Sequence, residues 1–164
     1  MRPRPAPAGP GQESVWDFPR PPRIQVVHKR LRVVFAGRSL ADTARGVRIV
    51  ETSHPPVYYF PPEDVDMALL IPNSRSSFCE FKGWASYRDV VAEGRREESA
   101  AWVYEEPSQG FDAIRGWAAF YPQKMDACFV GEERARPQAG GFYAGWITDD
   151  VVGPFKGEPG TMGW

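Results

Sequence analysis

The chain has 164 residues, with 20 Lys and Arg against 21 Asp and Glu, so its formal net charge is −1 at neutral pH. This length suffices for one domain with its own hydrophobic core. The balanced charge argues against binding nucleic acid through a broad basic surface, and no apolar run approaches the ~18 residues of a membrane span. The Pro-rich start also lacks the apolar stretch of a secretion signal. We therefore expect a cytoplasmic protein that binds neither nucleic acid nor membranes.

The cysteine and histidine content bears on metal binding. The chain has two of each, Cys79 and Cys128, and His28 and His54. No two of them have the close spacing of zinc-binding pairs. The sequence therefore predicts no metal and no cofactor, and the simplest interpretation of both thiols is a small buried apolar side chain.

Residues 1–23 are predicted to form a Pro-rich N-terminal arm, because seven of the 17 prolines lie in residues 1–22. Residues 1–12 contain almost nothing to bury, so we expect them to lack fixed packing or to be extended, with polyproline II character. Trp16 and Phe18 follow, and we expect them to anchor the arm to the domain. The alternative is that the arm is a recognition element for a partner.

Residues 24–130 are predicted to form an all-β core domain. Apolar and polar residues alternate, a hairpin turn is expected at Ala36-Gly37, and no long window keeps a helical period. Pro62–Val65 is predicted as one helical turn, and Ser108–Ile114 as a short helix. The predicted strands, the fourth being the longest, are Leu31–Phe35, Val47–Thr52, Val57–Phe60, Phe81–Val91, Ala101–Glu105, Ile114–Tyr121 and Ala127–Val130.

Residues 131–164 are predicted to form a Gly- and aromatic-rich C-terminal extension that packs on the core. This segment has eight glycines and five aromatic residues and shows little alternation. Trp146, Phe155 and Trp164 make it too apolar for a solvated tail. We expect an irregular segment that is either part of a pocket wall or a lid over a sheet edge.

The first cluster of candidate functional residues follows the strand that begins at Val47. Glu51 lies on the same strand face as Val47 and Ile49, so it ends an apolar row and is expected to be partly buried. His54 follows at a turn stiffened by prolines. The two form an acid/base or ligand-holding pair, or alternatively Glu51 caps the turn while His54 is exposed.

The second cluster lies at the start of the longest predicted strand. Alternation places Lys82 and Trp84 on one face, where they would present a charge and a stacking surface to an anionic or aromatic ligand. The alternative is a surface lysine whose stem packs on Trp84. Cys79 precedes Lys82 by three residues, so the two converge only if the chain bends between them.

The partly buried carboxylate of Glu51 needs a cation, because burying it unpaired is costly. Among the four lysines we expect Lys82 to be its partner, with Lys156 and the arginines as competitors. The pair would mark the wall of a pocket.

The ordered succession of these motifs resembles a bacterial family, the domain of unknown function 427 family. The resemblance covers about residues 30–128, and the C-terminal extension resembles that of a longer subgroup. The family often has Pro after the Cys, where this chain has Glu80. The matching motifs are Arg48–Glu51, His54–Pro56, Tyr58–Val65, Cys79–Gly83, Ala101-Trp102, Ala119–Tyr121 and Asp126–Cys128.

The resemblance implies a compact all-β domain of coiled antiparallel sheets, of the β-tent or Mss4-like type. Many β-tent proteins hold zinc with two Cys-x-x-Cys knuckles, which this chain lacks, so the fold is expected without the zinc. The family also carries a nucleotidyltransferase-type label. A shared fold does not by itself establish a shared function.

Two functions remain open. The first is a small-molecule binding protein or enzyme, for an anionic or nucleotide-like compound, in which Lys82 holds the anion and aromatic rings stack on the ligand. The second is a non-catalytic protein-interaction domain that uses the arm and the aromatic tail. The first predicts one concave site, and the second an exposed aromatic patch. The predicted pocket residues are Glu51, His54, Tyr59, Cys79, Lys82 and Trp84.

Overall fold

The computed structural model describes residues 2–164, which form fifteen β-strands joined by loops and short 3-10 turns. The all-β prediction is confirmed. No helix in this range is long and apolar enough to cross a membrane. The strands are β1 (Glu13–Ser14), β2 (Arg23–Val26), β3 (Leu31–Phe35), β4 (Arg38–Thr43), β5 (Val47–Val50), β6 (Val57–Tyr59), β7 (Leu70–Cys79), β8 (Gly83–Ala92), β9 (Arg95–Val103), β10 (Ala118–Phe120), β11 (Ala127–Val130), β12 (Glu133–Arg134), β13 (Arg136–Pro137), β14 (Trp146–Ile147) and β15 (Val151–Val152).

The strands pair into two four-stranded sheets, one three-stranded sheet and two short ribbons. The larger sheets have the orders β10-β9-β8-β7 and β12-β11-β3-β4, and the third sheet has the order β2-β5-β6. Their neighbouring strands are antiparallel, as are β13 and β14, whereas β1 pairs with β15 in parallel. The ribbon β1–β15 joins the arm to the C-terminal extension.

The main core contains side chains from both four-stranded sheets. On β3, Leu31, Val33 and Phe35 are fully buried while the residues between them are partly exposed. This is the alternation of a strand with one face in the core. Trp146 of the extension is also fully buried in this cluster. Burial of each such large side chain stabilises the fold by about 1.5–3 kcal/mol.

Trp16 and Phe18 anchor the arm, as predicted. Both are buried in a small cluster with Val15, Val50 and Val151. The indole Nε1 of Trp16 donates a hydrogen bond to the carbonyl of Pro154 at 2.9 Å. The arm thus packs against the extension as well as against β5.

The arm before this anchor is extended, and it makes defined contacts that we did not predict. Ala6 N donates to the carbonyl of Gly153 at 2.8 Å, and Gln12 Nε2 to that of Asp149 at 2.9 Å. The expectation that the arm up to Gln12 lacks fixed packing is therefore wrong for its described part. Met1 lies outside the described residues.

The hairpin turn at Ala36-Gly37 is confirmed, since both residues have positive φ, as a two-residue turn of this kind requires. Several strand predictions need correction. Ala101–Glu105 covers only the end of β9, which begins at Arg95, and Val47–Thr52 ends at Val50. The longest predicted strand begins at Gly83 rather than Phe81, because residues 80–82 form a turn, and Ile114–Tyr121 contributes only β10. The equally long β7 was not predicted.

Candidate functional site

A cavity of about 320 Å³ lies where the β5–β6 pair, the β7–β8 hairpin and the C-terminal extension meet. This volume falls at the lower end of the roughly 300–1,000 Å³ typical of ligand pockets. Eight of its nineteen lining residues are aromatic, and polar side chains and tyrosine hydroxyls lie among them. The lining residues are Ile49, Glu51, His54, Pro55, Val57, Tyr59, Ser77, Phe78, Cys79, Lys82, Ala85, Tyr87, Trp102, Tyr104, Tyr121, Gln138, Phe142, Tyr143 and Ala144.

Five of the six predicted pocket residues line this cavity: Glu51, His54, Tyr59, Cys79 and Lys82. The turn at residues 80–82 supplies the bend that brings Cys79 and Lys82 to the same cavity. Gly83, which ends this turn, has a φ of 101°, a conformation that glycine adopts without strain.

Trp84 does not line the cavity, so its prediction as a pocket residue is wrong. Its side chain is 60% exposed and lies against Phe78, with ring centroids 5.2 Å apart. The reason is strand alternation: Ala85 and Tyr87 of β8 point into the cavity, so Trp84 points away from it. Lys82 lies in the turn before this strand and therefore does not share the face of Trp84.

Glu51 is half-buried, as predicted, but its partner is Arg20 and not Lys82. Arg20 Nε lies 3.1 Å from Glu51 Oε2, and the same guanidinium donates to the carbonyl of Thr52 at 2.9 Å. The arm brings Arg20 to this position because Trp16 and Phe18 fix the arm nearby. Within residues 2–164 Lys82 has no carboxylate within salt-bridge distance.

His54 is held by the buried side chain of Gln138. The amide orientation of Gln138 is fixed because its Oε1 accepts from Gly145 N at 3.1 Å and its Nε2 donates to the carbonyl of Lys156 at 2.6 Å. Nε2 of Gln138 also lies 3.3 Å from Nδ1 of His54. An amide nitrogen only donates, so Nδ1 accepts and neutral His54 carries its proton on Nε2. The alternative that His54 is simply exposed is wrong.

The charge state of His54 follows from its surroundings. Burial, together with the nearby positive charges of Lys156, Arg20 and Lys82, lowers its pKa from 6.5 to about 4. His54 is therefore neutral at physiological pH. It contributes an N–H donor and no charge to the cavity wall.

Tyrosines form much of the remaining wall. Burial raises the pKa of Tyr59, Tyr104 and Tyr121, so all three are neutral phenols. Tyr121 Oη donates to the carbonyl of Phe142 at 3.2 Å and so fastens the extension over the cavity. The hydroxyl of Tyr87 lies 2.9 Å from that of Ser77.

The two cysteines have different environments. Cys128 is buried in the main core, as expected, and burial raises the pKa of its thiol. Cys79 is only partly buried and lines the cavity, where it was predicted as a pocket residue. Within residues 2–164 no three His, Cys, Asp or Glu side chains lie together as a metal site requires.

Several cavity residues were not among the predicted pocket residues. Strand alternation placed Tyr87 on one face with Ala85. Trp102 and Tyr104, two residues apart on the next predicted strand, also share a face, and this spacing could have identified them. Gln138 had no signal, because its position depends on a loop that returns to His54.

The Asp64 and Asp66 carboxylates lie outside the cavity, in ion pairs with Arg45 and Arg38.

A comparison with protein families matches residues 23–131, or 109 of the 164 residues, to the model described as Domain of unknown function (DUF427). The chain belongs to this family, which confirms the resemblance of its motifs. No curated protein shows a significant match. Arg20 and the lining residues Gln138, Phe142, Tyr143 and Ala144 lie outside the matched region.

Proposed function

We propose that this protein binds a small organic anion with a flat, apolar body in the cavity beside Lys82. The observation that carries this proposal is the charge balance at the cavity. Glu51 is the single acidic lining residue within the described chain, and Arg20 neutralises it, whereas Lys82 has no acidic partner. The ammonium of Lys82 is thus available to an anionic group of a ligand.

The neighbouring charges support the same proposal. Lys156, Arg20 and Lys82 all lie close enough to His54 to lower its pKa. Because Arg20 neutralises Glu51, the charges of Lys82 and Lys156 leave this region with a positive potential, which favours an anion. The two free thiols agree with the reducing cytoplasm that we propose as its location.

The apolar walls define the rest of the ligand. The rings of Trp102 and Tyr121 are 5.1 Å apart, and those of Tyr59 and Trp102 are 6.2 Å apart. Such walls favour a planar body that makes edge or face contacts with aromatic rings. Aromatic carboxylates and the smaller aromatic phosphate esters have this shape, and nucleotide-like compounds share its chemistry.

The test is calorimetric titration of the full chain with benzoate, phenyl phosphate and adenosine monophosphate. We expect at least one of them to bind and the Lys82→Met variant to weaken this binding about tenfold or more, because a hydrogen bond to a charged group contributes about 1.5–3 kcal/mol. Lys29→Met is the matched control, since Lys29 lies outside the cavity and its side chain is 62% exposed.

The proposal fails if benzyl alcohol binds as tightly as benzoate, or if Lys82→Met binds the anions as well as the unchanged protein does. It also fails if none of the three anions binds. Folding of each variant is checked by near-ultraviolet circular dichroism.

The alternative, a protein-interaction domain, has support at one place. Phe78 and Trp84 form an aromatic pair on the β7–β8 hairpin, and each is 60% exposed. The arm and the tail offer less for this role than the sequence suggested, because Trp16, Phe18 and Trp146 are buried within the chain itself and Phe142 alone among the aromatic residues of the tail is largely exposed. Retention of full anion binding by a Trp84→Ala variant would separate this surface from the cavity.

A further inference from the structure

Two tyrosine hydroxyls at the cavity have hydrogen-bonding capacity that the protein leaves unused. The first belongs to Tyr59, which is 1% exposed. Trp102 Nε1 lies 3.3 Å from its oxygen, and an indole N–H can only donate, so the oxygen of Tyr59 is the acceptor. The proton of Tyr59 must then point elsewhere, and no acceptor for it occurs within residues 2–164.

The second unused hydroxyl belongs to Tyr104, which is 5% exposed and also lines the cavity. Its oxygen makes no hydrogen bond to any residue of the described chain, while the hydroxyls of Tyr87 and Tyr121 are both engaged. The rings of Tyr59 and Tyr104 are 6.4 Å apart. The two unused groups therefore belong to one part of the wall.

Both groups remain protonated. Burial raises the pKa of each phenol, and it outweighs the hydrogen bond from Trp102 that lowers the pKa of Tyr59. Donation from Trp102 also polarises the O–H bond of Tyr59 and so strengthens it as a donor. The wall thus presents two neutral O–H donors on side chains that are themselves almost fully buried.

We propose that Tyr59 and Tyr104 together bind a carbonyl oxygen of the ligand, so that the ligand is a carbonyl-bearing aromatic acid. A carbonyl oxygen has two lone pairs and no proton, so it accepts from both phenols at once. A ligand hydroxyl or amine that accepted from both phenols would still carry a proton of its own, which would need a further acceptor in the wall. This inference rests on the proposed function, in which Lys82 holds the anionic group.

A matched pair of probes tests this subsite. 4-Acetylbenzoate and 4-ethylbenzoate have the same ring and carboxylate, and they differ only in a carbonyl against a methylene group. We expect the full chain to bind 4-acetylbenzoate about tenfold more tightly, the size of effect that one or two hydrogen bonds in a buried setting produce. Tyr104→Phe should reduce this preference to about threefold or less, without weakening 4-ethylbenzoate.

A second measurement reads the subsite directly in the unchanged protein. With 13C in the acetyl carbonyl of the probe, hydrogen bonds from two phenols should move its bound resonance downfield of its position in an aprotic solvent. Tyr104→Phe should move the bound resonance back upfield. Tyr58→Phe is the control, since Tyr58 packs against Trp146 at 4.9 Å and does not line the cavity.

The outcomes separate the two proposals. Equal affinity of the unchanged protein for both probes, with binding that still depends on Lys82, overturns the carbonyl subsite and leaves the proposed function intact. A bound carbonyl resonance at the aprotic position overturns the subsite as well. Failure of both probes to bind, together with the anions named above, overturns both proposals.

Discussion

His54 shows how the surroundings of one residue set its charge. Burial removes water from the imidazole, and Lys156, Arg20 and Lys82 oppose a further positive charge, so its pKa falls from 6.5 to about 4. Between these two values an unfolded chain binds a proton at this position and the folded chain does not. The folded state therefore has no penalty from His54 above pH 6.5, and its free energy of unfolding falls as the pH is lowered from 6.5 toward 4.

We predict that His54→Gln removes part of the acid sensitivity of the fold. The free energy of unfolding of the unchanged protein should drop between pH 7 and pH 4.5 by roughly 2 kcal/mol more than that of the variant, from the shift in the His54 pKa. Urea unfolding followed by tryptophan fluorescence at both pH values measures the difference.

The control for this prediction is His28→Gln, which removes the chain's other histidine from an exposed position outside the cavity. An equal drop in His54→Gln and in the unchanged protein would contradict the prediction. Comparing variants is necessary because carboxylates also titrate in this range.

The partial burial of Glu51 could be read from its place at the end of an apolar strand face. Its partner could not be read, because a lysine and many arginines were available and the choice depends on which segment the fold brings close. Arg20 reaches Glu51 because the aromatic anchors and the hydrogen bonds to Thr52 fix the arm beside it. Composition identified these anchors but not the direction in which the chain continues after them.

At the scale of elements, the turn of the β7–β8 hairpin places both Cys79 and Lys82 at the cavity. The turn is packed closely against a loop, since Ser108 N donates to the carbonyl of Lys82 at 2.8 Å. A Cβ on Gly83 would lie 3.1 Å from Ser108 Oγ and 3.2 Å from Ser108 N. The φ of Gly83 also lies in the left-handed region. Glycine is therefore needed here for two separate reasons.

We predict that Gly83→Ala destabilises the protein by about 1–3 kcal/mol, because both its backbone conformation and its contact with Ser108 become strained. It should also weaken the binding of benzoate by displacing Lys82. Gly94→Ala is the matched control, with a φ of 76° and no atom within 4 Å of the added Cβ. Thermal unfolding and calorimetry on both variants check the result, and equal effects would refute the packing argument.

The strands that alternate clearly were found from the sequence, and β7 was not. Its sequence interrupts the pattern with Pro72 and Asn73, and the structure has an irregularity in register between Pro72 and Ser76. Asn73 instead hydrogen-bonds to the buried carboxylate of Asp89 at 2.7 Å. A strand held partly by side-chain bonds of this kind lacks the period-two signal on which sequence analysis depends.

At the scale of the whole molecule, the core extends beyond the region that defines the family. Trp146 is fully buried, with its ring 4.9 Å from that of Tyr58 and 6.0 Å from that of Phe60, and its Nε1 donates to the carbonyl of Phe120 at 3.3 Å. The C-terminal extension thus supplies a side chain that the core needs.

We predict that a fragment of residues 23–131 does not fold stably. Loss of a buried Trp alone costs about 3–5 kcal/mol, a large share of the roughly 5–15 kcal/mol that stabilises a typical domain. The fragment should lack a cooperative unfolding transition, whereas residues 23–164, which retain Trp146, should keep one. Circular dichroism during heating decides, and a cooperative transition in the shorter fragment would contradict the prediction.

The way in which the sheets combine was beyond sequence analysis, because the deciding pairings join distant segments. β3 pairs with β11 across most of the core region, and short strands of two residues carry no signal of their own. Five cavity residues could be predicted because they lie close together in the sequence. The residues of the extension that complete the cavity are distant in sequence and could not.

The parallel ribbon of β1 and β15 joins Glu13 to Val151, residues 138 positions apart. The ribbon itself contains only two residue pairs, so the arm is held mainly by the buried cluster around Trp16 and Phe18 and by the hydrogen bond from Trp16 Nε1 to Pro154. This docking keeps Arg20 on Glu51, whose carboxylate lies on the same cavity wall as Lys82. The arm therefore acts as a built-in counter-ion: its docking determines whether the cavity presents net positive charge or an internal ion pair.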